Sequence, residues 1–168
     1  MMDWSWTELQ ALGVKAASGA QVPPAQALAF GAMLARHLAD EGDEAPVLRA
    51  LEAPDTIVAL AHAVERLVEA ASISPAGTAS TREGDAGRRA LLVSWLNGLP
   101  CRSEVSVAGD TVRAMLSLVE PSTRARPVRI AVSQRLADAL HDLAARTYVP
   151  DSAASRAGGA GAGLMELD

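Results

Sequence analysis

Residues 104–116 read EVSVAGDTVRAML and contain the clearest strand pattern in the chain. Apolar and polar residues alternate from Glu104 to Val107, and Gly109-Asp110 then supplies the turn of a β-hairpin. The return strand alternates again, with four apolar residues at every second position: Val112, Ala114, Leu116 and Leu118. Because alternate side chains of a strand point to the same face, the segment predicts an antiparallel strand pair.

A third strand and a helix are predicted after this hairpin. The strand is indicated by three alternating residues: Val128, Ile130 and Val132. Ser133 can cap a helix that ends near Arg146 and has leucines at helical spacing: Leu136, Leu140 and Leu143. We therefore expect an antiparallel sheet of three to four strands, backed by this C-terminal helix.

The first 73 residues have a helical pattern instead. Ser5 and Glu8 match a capping box, and the helix that follows would end near Gly19 with Leu9, Leu12 and Ala16 on one face. A second helix can begin at the pair Pro23-Pro24, because a proline in the first turn loses no hydrogen bond. Its buried side would contain Leu28, Ala32, Ala35 and Leu38.

Two more helices complete this half. Acidic residues surround Gly42 and predict a solvated turn between Asp40 and Glu44. Pro46 then starts a short helix that runs to about Ala53, and Asp55 caps a longer one. Residues 1–73 are thus predicted to form a layer of three to four helices.

The whole chain is predicted to be one α+β domain, residues 1–168. Ser, Thr, Gly and Pro dominate residues 74–88, which predict a loop or a hinge between the helical half and a strand-rich half over about 89–146. The apolar run Ala90–Leu96 fits either a buried strand or a turn of helix. Residues 147–168 are expected to be an extended tail rich in glycine and alanine.

Composition and charge exclude several classes of protein. The net charge is −5, with 20 acidic and 15 basic side chains, so a nucleic-acid partner is not expected. No apolar run approaches the length of about 18 residues that a membrane span needs. Cys101 is the only cysteine, so no internal disulfide and no cysteine-based zinc site are expected. With no secretory signal pattern at the N-terminus, a cytoplasmic protein is expected.

The tail contains the best candidates for a ligand site. Small residues let a backbone approach a ligand closely, and successive N–H groups can hold an anion. Hydroxyl groups and a guanidinium would add donors for a carboxylate or a phosphate. The candidate residues are Tyr148, Ser152, Ser155, Arg156, Gly159, Gly161 and Gly163. No cofactor is expected.

Histidine and cysteine give weaker signals. His37 and Asp40 are three residues apart on one predicted helix, and His62 and Glu65 repeat that spacing on another. The four side chains could converge on a metal ion, but ordinary contacts on each helix are favoured, and no metal is expected. Cys101 is expected to be a buried thiol. Three arginines near the third strand, Arg124, Arg126 and Arg129, would protect a sheet edge or contact an acidic partner surface.

Two sequence motifs, one near each end of the chain, are similar to motifs of a known family. The N-terminal motif is Trp4-Ser5-x-x-Glu8 with Lys15-Ala16-Ala17-x-Gly19-Ala20. The C-terminal motif is Arg146-Thr147-Tyr148-Val149-Pro150, followed by Ser155-Arg156 and Gly159-Ala160-Gly161-Ala162-Gly163. On these motifs the chain resembles an uncharacterised bacterial family known only as a domain of unknown function. The resemblance implies that the tail is a family feature, and it implies no activity, cofactor or catalytic residue.

These patterns favour a non-enzymatic protein that acts through contacts. Aromatic residues make up only 3% of the chain, and small side chains bury little area each, so a partner chain is expected to cover some of the apolar surface. The protein is therefore predicted to be homo-oligomeric or an accessory subunit of a bacterial metabolic assembly. The alternative is a protein or enzyme that binds a small anionic ligand beside the tail.

Overall fold

A computed structural model of the chain describes residues 1–147 and has an α+β fold, as the sequence predicts. Helices and short strands follow one another in this order: β1 (Met2–Trp4), α1 (Trp6–Gly19), α2 (Pro24–Ala39), α3 (Glu44–Glu52), α4 (Asp55–Ile73), β2 (Thr78–Arg82), α5 (Ala86–Asn97), β3 (Cys101–Ala108), β4 (Thr111–Pro121), β5 (Ile130–Val132) and α6 (Gln134–Ala145). The first four helices form the predicted N-terminal layer.

Local signals place the ends of α1, α2 and α6 where the sequence predicts them. The capping box at the start of α1 is confirmed: the Ser5 hydroxyl accepts from the Glu8 N–H at 3.3 Å, and the Ser5 N–H donates to the Glu8 carboxylate at 2.9 Å. Helix α2 begins at Pro24. Ser133 caps α6 by accepting from the N–H of Leu136 at 3.1 Å.

Helix α3 begins at Glu44, two residues before the predicted Pro46, because Asp43 caps it. Helix α4 begins at Asp55 after Pro54, without the predicted side-chain cap.

Helices α1 and α2 touch backbone to backbone. A Cβ atom built on Gly31 of α2 would lie 2.5 Å from the carbonyl oxygen of Gln10 and 2.5 Å from a methyl carbon of Val14, both on α1. A Cβ on Gly13 of α1 would lie 3.2 Å from the Cα of Gly31. Neither glycine leaves room for a side chain, so the close approach of the two helices depends on both.

The buried face of α2 differs from the predicted one. Leu28 is 60% exposed and Ala32 is half-buried, whereas Ala35 and Leu38 are buried as predicted. The largest buried side chains of the helix are Phe30, Met33 and Leu34. Helix α2 is packed against α1, α4 and α5 together, and this wide contact covers most of the helix but leaves Leu28 outside it.

The strands form two separate antiparallel sheets. The larger has the order β2-β4-β3, and Val112, Ala114 and Leu116 of β4 are buried on its inner face, against α4 and α5. The strand Ile130–Val132 does not join the hairpin in this sheet as predicted, because it pairs with β1 instead, with Trp4 opposite Ile130.

The segment 74–88, predicted as a loop, contains β2 and the first turn of α5. Strand β2 reads TASTR, which has no large apolar residue and therefore gives no strand signal, and none of its residues is fully buried. Asp85 begins α5 by accepting from the N–H of Arg88 at 2.7 Å. The apolar run Ala90–Leu96, which fits either kind of element, is therefore helical.

Replacing Gly31 by alanine should destabilise the protein. The new methyl group would overlap the backbone of α1, a cost of about 1–3 kcal/mol that exceeds the gain of about 1 kcal/mol in helix propensity. Urea denaturation followed by circular dichroism should show a lower midpoint for Gly31→Ala. The control is Gly84→Ala, where a Cβ atom would meet nothing within 4 Å. Equal midpoints for the two variants would contradict the described contact between α1 and α2.

Candidate functional site

Strand β3 forms an outer edge of the larger sheet. It pairs with β4 on one side, and no strand within residues 1–147 pairs with its other side. The strand is eight residues long, and its last three residues, from Ser106 to Ala108, are exposed. Unpaired N–H and C=O groups along such an edge are a ready template for another strand.

Two carboxylates hold a half-exposed arginine on this strand. Arg102 donates to Glu120 of β4 at 3.1 Å and to Glu104 of β3 at 3.2 Å, and all three side chains are 53–56% exposed. The hydrogen bond to Glu120, followed by the one to Glu104, raises the pKa of the Arg102 guanidinium above its usual value. Arg102 is therefore charged at every physiological pH and keeps both carboxylates close to it.

The open face of the sheet has a depression lined by both apolar and charged residues. Its volume is about 410 Å³, and its lining includes Met115 and the charged residues Arg102, Glu104 and Glu120. Met115 is 43% exposed and lies opposite Glu104 in the register of the sheet. Protein–protein interfaces commonly combine apolar and polar surface.

A bulge in β4 exposes more apolar surface near this depression. The pairing of β3 with β4 shifts between Cys101 and Arg102, so that Leu118, Val119 and Glu120 of β4 have no partner on β3. Leu118 is 47% exposed and Val119 is 94% exposed. Leu118 therefore does not continue the buried row of β4 that its alternation suggests, because the bulge breaks the alternation.

The ligand-site residues predicted from sequence lie outside the part of the chain that the structure describes. They are Tyr148, Ser152, Ser155, Arg156, Gly159, Gly161 and Gly163, and the last described residue is Thr147. The anionic-ligand site beside the tail thus stays a prediction.

The structure does not bring the two histidine pairs together. His37 is buried, and its ring nitrogens lie 2.8 Å from the hydroxyl of Ser94 and 2.8 Å from the carbonyl oxygen of Asp43. The Asp40 carboxylate binds Arg36, while His62 is exposed on α4. Within the described residues, no group of three or more His, Cys, Asp and Glu could hold a metal ion.

The buried contact between His37 and Ser94 has a structural role. Ser94 is 6% exposed and His37 is 2% exposed, so a substrate cannot reach either side chain. His37 also packs directly against Gly42, which leaves no room for a side chain there. The turn after α2, predicted to be merely solvated, is therefore held by specific contacts, including hydrogen bonds from Ser133 to the Glu44 carboxylate.

Sequence reasoning did not identify Arg102 and Met115. Both lie in the strands of the predicted hairpin, and both point away from its buried face. The available signal was the residue type: a large apolar side chain on the solvent side of a strand, together with opposite charges two residues apart on a strand at the sheet edge.

The thiol of Cys101 should react slowly in the folded protein. It is the first residue of β3, it is buried, and burial raises the pKa of its thiol, so less thiolate is present near neutral pH. Mass spectrometry should show slow labelling by iodoacetamide at pH 7.5 and fast labelling in urea. Labelling that is equally fast in both conditions would contradict the buried position.

Comparisons with known proteins leave the chain without an assigned relative. No helix in residues 1–147 has both the length and the apolar character needed to cross a bilayer. The resemblance at the two ends of the chain stays a prediction. Neither a protein-family model, nor a curated protein, nor a solved structure matches this chain.

Proposed function

We propose that this chain is a non-enzymatic cytoplasmic protein that acts through contacts, and that it forms a homodimer by antiparallel pairing of β3 with β3 of a second copy. The observation that carries the proposal is the outer edge of this eight-residue strand, with which no strand in residues 1–147 pairs. Pairing two such edges would join two three-stranded sheets into one continuous sheet. The N–H and C=O groups along the edge would then bond to protein instead of water.

The charges on β3 support a second copy as the occupant of this edge. Arg102 and Glu104 are two residues apart, so their side chains point to the same face of the strand. In an antiparallel pair centred on Ser103, Arg102 of each copy lies opposite Glu104 of the other copy. Charges on an edge strand usually prevent pairing, but this order makes the strand complementary to itself.

Exposed apolar side chains near this edge support the same arrangement. Val107, at 49% exposure, lies on the edge strand itself, just beyond residues 101–105, which pair in this register. Met115, at 43% exposure, lies on the central strand β4, one strand in from the edge. A second copy would cover part of this apolar surface, whereas exposed charge pairs contribute only about 0.2–1 kcal/mol each. Burial and backbone pairing would thus provide most of the affinity, and the charges would set the register.

The same edge could instead accept a strand from a different protein. Extended segments commonly bind by adding a strand to an exposed sheet edge. This arrangement would make the chain an accessory subunit of a larger assembly. The self-complementary order of Arg102 and Glu104 favours the homodimer, because a different partner does not require it.

Reversing the charge of Glu104 should disrupt the dimer. Because the proposed pair is symmetric, Glu104→Arg places an arginine opposite Arg102 at two positions of the interface. The loss of two attractive pairs should weaken the dimer by about tenfold or more. Sedimentation velocity over a micromolar concentration series should show a dimer for the wild-type chain and a monomer for the variant. The double variant R102E/E104R restores opposite charges across the interface and should recover the dimer.

The matched control is Glu120→Arg. It makes the same change of charge and removes the other carboxylate that binds Arg102, but it lies on β4 rather than on the edge. The control should dimerise like the wild-type chain. A wild-type chain that stays monomeric, or equal losses in Glu104→Arg and Glu120→Arg, would contradict the proposal. A monomer that binds a different protein through β3 would support the accessory-subunit alternative instead.

A further inference from the structure

A second, separate feature is a polar pocket beside the N-terminus of α1. Its volume is about 260 Å³. The walls come from Trp6 at the start of α1, Arg36 near the end of α2, the turn 97–100 between α5 and β3, and the segment that follows β4. Four chain segments that are distant in sequence thus meet around one small cavity.

Positive charge is concentrated in this pocket although the chain as a whole is acidic. Arg36, Arg124 and Arg126 line it, and no acidic residue of the described part of the chain does. Arg36 is buried and already has partners within the protein. Its guanidinium binds Asp40 and donates to the carbonyl oxygen of Ala125 at 2.8 Å. Arg124 and Arg126 form no ion pair with a carboxylate in the described residues. Two guanidinium charges are therefore available to a ligand.

Trp6 holds one of these guanidinium groups in position. The Cζ atom of Arg126 lies 5.2 Å from the centre of the Trp6 ring, and the Cζ atom of Arg36 lies 5.3 Å from it. The indole N–H of Trp6 donates to the side-chain oxygen of Gln10 at 3.1 Å, which fixes the ring. A guanidinium stacked on an aromatic face keeps its N–H edge free, and this edge matches two oxygens of a carboxylate or phosphate.

We propose that this pocket binds a small oxyanion, with the anionic group on Arg124 and Arg126. The volume suits a compact organic acid or a phosphate and is below the usual range for drug-sized ligands, which begins at about 300 Å³. This site needs no residue of the tail and no second copy of the chain. It therefore stands apart from the proposed dimerisation.

The test is an NMR titration of the full chain that follows the indole N–H of Trp6. The probes are succinate and inorganic phosphate, each at constant ionic strength. Saturable shifts with at least one of these probes are expected. Saturation with phosphate alone would make the oxyanion site a phosphate site, and saturation with succinate alone would make it a carboxylate site.

A pair of variants separates binding in the pocket from general attraction to arginine. Arg126→Met should weaken binding by about tenfold or more, because a charge-assisted hydrogen bond is lost. Arg113→Met removes an exposed arginine from the open face of the sheet and should bind like the wild-type chain. The amide spectrum of each variant verifies its fold. No saturable shift with any probe, or equal weakening in the two variants, would overturn the proposal.

Discussion

The direct backbone contact of α1 with its neighbours is the constraint on which the rest of the structure depends. With only five aromatic residues in the chain, large side chains cannot fill wide gaps between helices, so the helices must approach closely. Gly13 and Gly31 allow this approach between α1 and α2, and Gly19 packs against the carbonyl group of Leu143 on α6. The same packing places β1 beside β5 and brings Trp6 to Arg36.

Both proposed sites depend on how the helices cover the sheet. The inner face of the sheet is covered by α4 and α5, but no strand of the described chain pairs with the outer edge of β3. The turn 97–100 connects the two sites along the chain, because it lines the arginine pocket and leads directly into β3. The edge offers backbone groups to another strand, whereas the pocket offers guanidinium groups to an anion.

The sequence predicted the features that depend on neighbouring residues. The capping box at Ser5, the helix begun by Ser133 and the hairpin around Gly109 all rest on contacts within a few positions. Partners distant in sequence were not predictable in this way. The strand Ile130–Val132 was assigned to the wrong sheet because its partner, β1, lies at the other end of the chain and is only three residues long. The arginine pocket likewise depends on Arg36 reaching Ala125, 89 residues away.

The central claim, that β3 pairs with a second copy, is tested most directly by amide hydrogen exchange at several protein concentrations. The account predicts that the amides of β3 that do not bond to β4 exchange more slowly as concentration rises. The amides of β2, the other outer strand of the same sheet, should exchange at the same rate throughout. Exchange of the β3 amides that is independent of concentration, or protection that appears in β2 instead, would contradict the account.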